Sequence, residues 1–163
     1  MYGIEAARKK VLAAVEGLTD EQMNVEVEQG RWTVAQVLEH LYLMERGVTG
    51  QIQQALADPK SVPASRKKPI ENTVDRSYKV EAPGPFQPSD DFLSREKMLD
   101  KLQGSRDQLL AVVGSIDDQA VLTQKSFKHP VFGSMDLEQW IEFIGFHELR
   151  HLQQIEELTA KLS

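Results

Sequence analysis

His147 and His151 stand four residues apart, in a stretch whose apolar residues recur at helical spacing. Residues four apart on an α-helix share a face and sit about 6 Å apart along its axis, so two imidazoles placed this way can converge on one metal ion. Taken alone, such a pair reads equally as two surface or core histidines. His151, however, falls on the stripe of Leu137, Ile141, Ile144, Ile155, Leu158 and Leu162, which turns the pair inward. His40 lies among Val37, Leu41 and Met44 on the apolar face of a second helical pattern. A buried imidazole is costly unless its ring nitrogens find partners, and one shared ion would satisfy all three. Three nitrogen donors with a position left open to water form the catalytic arrangement for zinc and similar divalent ions.

His147-Glu148-Leu149-Arg150-His151 also spells H-E-x-x-H, the zinc-peptidase pattern. A peptidase needs a third ligand downstream, and position 157 is Glu157 where a further His would belong; twelve residues follow His151. A peptidase is not expected. Glu148 and Arg150 are the candidate catalytic residues by adjacency to the histidines. Each is rotated by about 100° from its neighbouring His, and a salt bridge on the helix surface or to another helix is the competing role. Gln154, one turn beyond His151, either hydrogen-bonds a ligand histidine or sits at the bundle end. His129, before Pro130, is expected to hydrogen-bond within its loop, and Trp32 and Trp140 to pack in the core.

The elements that would position these residues are set by proline. Six of the seven prolines fall between positions 59 and 88 and the seventh is Pro130; proline breaks helix interiors, so the stretches 1–58, 89–129 and 131–163 stay free for helices. The first helix carries Ile4, Ala7, Val11, Leu12, Val15 and Leu18 at spacings of three and four, and ends at Gly17 and the polar run Thr19-Asp20-Glu21-Gln22. Thr33 and Gln36 form a capping-box signature for the second, which runs from Val34 through Ile52 to Asp58-Pro59. The third starts between Ser89 and Ser94, with Asp90, Asp91 and Glu96 in its first turn to complement the helix dipole, buries Leu99, Leu102, Leu109, Val112 and Val113, and stops at Gly114. The fourth starts at Asp136. Four helices without convincing alternating strands predict an all-α four-helix bundle spanning 1–163 as one domain.

Residues 59–88 then form a long crossover loop between the second and third helices, which suits a bundle with parallel neighbours. Thr73 to Val80 alternates weakly, as a short strand or a segment hugging the bundle, and Arg66-Lys67-Lys68 reads as a solvated loop tip. Phe127 to Gly133 forms an extended, aromatic approach to the fourth helix.

With 25 acidic against 19 basic residues the net charge is −6, which argues against nucleic acid as a partner, since that needs a surplus of Lys and Arg on the phosphates. No apolar run of membrane-spanning length occurs, and Met1 is followed by residues without the apolar stretch of a signal peptide, so export is not expected. The expected address is the cytoplasm, with no membrane partner. The absence of cysteine removes disulfides, a thiol nucleophile of the protein's own and every Cys-based metal site.

Three segments together resemble the DinB-like superfamily, which includes bacillithiol and mycothiol S-transferases and proteins described as metal-dependent hydrolases. They are Arg31-Trp32-Thr33 through His40-Leu41; His129-Pro130-Val131-Phe132-Gly133 through Asp136-Leu137; and Phe143-Ile144-Gly145-Phe146-His147 through His151-Leu152-Gln153-Gln154-Ile155. Their order and spacing agree over essentially the whole chain. The resemblance implies a four-helix bundle with a crossover between helices two and three, and His40, His147 and His151 as ligands of a divalent metal, zinc or nickel. It also implies a small-molecule substrate and a homodimer. The expected function is transfer of a bacillithiol-type thiol to an electrophile; the alternatives are hydrolysis by metal-bound water, and a bundle whose metal is structural or whose pocket only binds a small ligand.

Overall fold

The computed structural model describes residues 2–77, 80 and 82–162. Five α-helices are joined by 3-10 turns and one hairpin: α1 (Ile4–Val15), α2 (Asp20–Asn24), α3 (Val34–Ala57), α4 (Arg95–Gly114), the strands β1 (Ser126–His129) and β2 (Gly133–Asp136), and α5 (Leu137–Ala160). The four long helices are the bundle expected. Among the described residues, no helix is long and apolar enough to cross a membrane.

Local chemistry sets the boundaries. Thr33 accepts from Gln36 N while Gln36 Oε1 accepts from Thr33 N, so the capping box starts α3 as its sequence requires. Thr19 and Gln22 make the same reciprocal pair, and the run expected to end the first helix instead starts the short helix α2. Ser94 caps α4 through Lys97 N, so Asp90 and Asp91 precede the helix and only Glu96 lies in its first turn. Within α4 the core-facing residues are Met98, Leu102, Leu109 and Val113, with Leu99 and Val112 half-buried at the margin. Asp136 caps α5 through Gln139 N at 2.8 Å.

The aromatic approach to α5 is an antiparallel hairpin, Phe127 paired with Met135 and His129 with Gly133. Its turn, Pro130-Val131-Phe132, closes on Gly133 at φ 76°, a left-handed position that glycine takes without strain. Four-residue strands of mixed polarity carry little periodic signal, which is why no strand was expected here.

The core has two apolar halves. Ile4, Val48, Ile52, Leu109, Val113, Ile141 and Ile144 belong to one, and Val11, Val15, Leu38, Leu41, Met98, Leu102, Ile155 and Leu158 to the other. The order in which each helix visits the halves gives its direction: α3 and α4 run parallel, α1 and α5 run the opposite way. Between the halves lies a layer of buried charge to which every long helix contributes. Arg8 donates to Glu148 Oε1 (2.6 and 2.9 Å) and Glu45 Oε1 (3.0 Å); Arg106 donates to Glu45 Oε2 (2.6 Å) and Glu148 Oε1 (3.1 Å); Ser105 Oγ donates to Glu45 Oε1 (2.5 Å). Two cations and two anions balance there, as buried charges must.

The crossover is strapped to the bundle along its length. Lys67, expected at a solvated tip, pairs with Asp136 at 2.6 Å and with Glu138, and the Lys68 backbone exchanges two bonds with the Gln139 side chain. Residues 70–74 form a 3-10 turn against α5, so Thr73 to Ser77 is no strand; Tyr78 and Lys79 of that segment lie outside the described residues. Arg150 donates to Thr73 O and Asp75 O, and Arg76 pairs with Glu157 at 2.6 Å. A second 3-10 turn, Gly84–Phe86, lies against α3.

Candidate metal centre

The helices bring together the three histidines that the sequence singled out. His40 comes from α3, His147 and His151 from α5, and their candidate ligand nitrogens all lie within 4.8 Å of one another. Nε2 of His40 and Nε2 of His147 are 3.1 Å apart. Nitrogens about 2.0–2.1 Å from a tetrahedral ion lie about 3.4 Å from one another, so this spacing is that of two ligands of one ion. His40 and His147 are buried and His151 is partly exposed.

Which nitrogen each ring offers follows from its other nitrogen. His40 Nδ1 lies 2.8 Å from Phe86 O; a carbonyl only accepts, so the proton is on Nδ1 and the Nε2 lone pair points into the cluster. His151 Nδ1 lies 2.9 Å from Gln154 Oε1, which fixes the same tautomer and leaves its Nε2 free. Gln154 therefore takes the first of its two expected roles. Such outer partners orient metal-bound imidazoles and raise their basicity.

The rings are held neutral. Burial pushes the His147 pKa well below its usual value, with the neighbouring histidines adding to the effect. Burial also lowers His40, partly offset by the Phe86 hydrogen bond, and takes His151 to about 3 with help from His40, Arg150 and Arg76. Neutral imidazoles cannot all satisfy one another's inward lone pairs, whereas a divalent cation accepts all three. The donor set fits such an ion.

Glu148 and Arg150 do not join the cluster. The rotation of Glu148 relative to His147 sends its carboxylate into the charge layer, onto Arg8 and Arg106. Its Oε2 is buried without a partner, and burial raises its pKa despite both arginines. Arg150 is occupied in holding the crossover. Glu148 is in the competing salt-bridge role, to helices α1 and α4, whereas Arg150 hydrogen-bonds crossover carbonyls.

Aromatic rings surround the histidines. Trp32 packs against the core and lies 5.1 Å from the His40 ring; Phe143 stands edge-on to His129 and contacts His147. Trp140 stacks on Phe127 at 4.2 Å and donates from Nε1 to Phe127 O. His129 Nδ1 accepts from Val131 N and Phe132 N, so it serves the hairpin turn. The Phe86 carbonyl, missed from sequence, has no side-chain signature. Arg8, Glu45 and Arg106 did leave one: charges at core-facing positions between apolar residues three or four away.

A bundle whose second and third long helices run parallel, with histidines of the second and fourth meeting inside it, is a recognisable class of helical protein. The chain belongs to the DinB superfamily, whose profile matches residues 4–155. It is 32% identical over 156 residues to YuaE of Bacillus subtilis (strain 168), an uncharacterized protein, covering 96% of this chain and 94% of YuaE. Two solved structures share the fold. TT2238, described as a four-helix bundle protein, superposes with a TM-score of 0.63 at 22% identity over 95% of this chain and 94% of its own. YfiT from Bacillus subtilis, described as "a probable metal-dependent hydrolase with an unusual four-helix bundle topology", gives 0.61 at 23% over 97% and 82%.

Proposed function

We propose that the protein is a divalent-metal-dependent transferase that joins a low-molecular-weight thiol of the bacillithiol type to a small electrophile, with zinc or nickel held by His40, His147 and His151. The observation that carries this reading is the meeting of three neutral imidazoles, two of them oriented by an acceptor on Nδ1. A bound divalent ion supplies Lewis acidity, lowering the pKa of a thiol or water placed in its open position.

The surroundings favour thiol over water. Hydrolysis needs a base to move protons between water and leaving group, and no carboxylate among the described residues joins the histidine cluster. Glu148, the residue best placed by sequence for that task, is committed to Arg8 and Arg106. A thiol gives up its single proton to solvent as it ionises. Its sulfur then donates an electron pair to an electrophilic carbon, the S–C bond forms, and the bond from that carbon to its leaving group breaks with the departing pair. Since the chain has no cysteine, the sulfur comes from the thiol substrate. Trp32 and Phe143 wall the cluster with apolar surface, limiting competing water.

The description of YfiT supports metal-dependent hydrolysis as the second reading. Zinc- or nickel-loaded protein is incubated with bacillithiol and a haloalkyl electrophile, and thiol loss and the thioether are followed. Metal-dependent thioether formation, abolished in His151→Ala, is the expected result. Ester or amide turnover without thiol would replace it with the hydrolase. Neither activity, with a large fall in melting temperature on chelation, would leave a structural ion.

A further inference from the structure

The Phe86 carbonyl that orients His40 is held by how its segment sits on α3. Buried Glu39 accepts from Ser89 N at 3.0 Å and from Ser89 Oγ at 3.4 Å, and Gln36 Nε2 donates to Ser89 O at 3.2 Å. The third point of attachment is a ring against a backbone. A Cβ built on Gly47 would lie 2.5 Å from Phe86 Cε1 and 3.0 Å from Cζ, closer than carbon atoms approach. His40 and Gly47 are seven residues apart, two turns of α3, and so lie on one face of it. The same residue, Phe86, therefore touches both: its carbonyl meets His40 and its ring meets Gly47.

Glycine inside a helix is less favourable than alanine, so its place at position 47 of a 24-residue helix calls for a reason. Gly50, one turn on, has nothing within 4 Å of an added Cβ and makes room for no neighbour. At Gly47 the missing side chain is what admits the ring.

We propose that Gly47 and Phe86 are positioning residues for the metal ligand His40: the bare helix surface at Gly47 seats the Phe86 ring, the seated ring sets the Phe86 carbonyl at His40 Nδ1, and that bond aims His40 Nε2 at the ion. Neither residue touches the ion. The inference rests on the metal reading of the three histidines and deepens it, because it makes the crossover part of the site's outer shell.

The test compares Gly47→Ala with Gly50→Ala in the same helix. Zinc affinity is measured by competition with a chromophoric chelator, and the His40 tautomer in metal-free protein by imidazole nitrogen shifts. Removing an outer partner of a metal-bound histidine typically weakens binding by about 10–100-fold. Gly47→Ala is expected to lose about tenfold or more in zinc affinity and to shift His40 away from the pure Nδ1–H form, while Gly50→Ala changes neither. Phe86→Ala is expected to weaken zinc binding as well, and adding Gly47→Ala to it should cost no more than about a further twofold, since the clash is gone. A general loss of stability would not produce that rescue. Should Gly47→Ala not fold, Phe86→Ala and its nitrogen shifts carry the test. Zinc bound by the wild type but held within twofold by Gly47→Ala or Phe86→Ala, with an unchanged His40 tautomer, overturns this inference alone. A wild type that binds no divalent ion overturns the metal reading and the inference with it.

Discussion

Nε2 of His40 and Nε2 of His147 lie 3.1 Å apart across the interface of α3 and α5, although 107 residues separate them in the chain. Packing against α5 holds α3 at that distance, and the charge layer of Glu45 and Glu148, each a short step along its helix from one of these histidines, fixes how far one helix slides along the other. Buried ionic groups are suited to setting register, and register is what two ligands on different helices require.

Among the described residues, Gln154 Oε1 is the acceptor for His151 Nδ1, at 2.9 Å. Gln154→Leu is expected to weaken zinc binding by about 10–100-fold, whereas Gln154→Glu keeps an acceptor and retains tight binding. Competition with a chelator measures both. Equal affinities for the wild type and Gln154→Leu would show that Gln154 is a bundle-end residue.

Arg106→Met removes the partner of Glu45 Oε2 and of Ile4 O inside the core. Breaking a buried ion pair on one side costs about 3–5 kcal/mol, and urea unfolding of the metal-free protein should show a loss of that order. Glu148→Gln is expected to behave as a stability variant too, since its carboxylate serves Arg8 and Arg106. A loss below about 1 kcal/mol for Arg106→Met would contradict the layer's role.

Position in the chain decided how much was visible beforehand. The three histidines and the four long helices could be read because their side chains repeat every three or four residues. Thr33 and Gln36 announced the start of α3 by their own chemistry. Thr19 and Gln22 carried the same signal for α2, but a five-residue helix has no periodicity to support it. Lys67 looked like a solvated charge because its partners, Asp136 and Glu138, are about seventy residues away. The Phe86 carbonyl belongs to the backbone and has no identity in sequence at all, and nothing in the sequence marks Gly47 as its neighbour.

Acid should destabilise the protein in a window set by its buried histidines. Burial takes His129 from an ordinary pKa near 6.5 to about 4. The unfolded chain takes up that proton first, so the His129 contribution is complete above pH 6.5 and is lost as pH falls towards 4. His129→Gln, whose carbonyl can accept from the Val131 and Phe132 amides, does not titrate. The stability advantage of the wild type over His129→Gln should therefore shrink by about 2 kcal/mol between pH 7 and pH 5. Urea midpoints at the two pH values measure it, and a constant gap would contradict the assignment. Zinc binding at pH 7 should survive His129→Gln, because its Nδ1 serves the hairpin turn.

An anomalous difference map from crystals grown with zinc, recorded at the zinc edge, tests the metal centre most directly. One buried peak is expected about 2.0–2.1 Å from Nε2 of His40, His147 and His151, with Phe86 O and Gln154 Oε1 still bonded to the Nδ1 atoms of His40 and His151. A peak ligated elsewhere, or three rings in place around no peak, would contradict the metal centre.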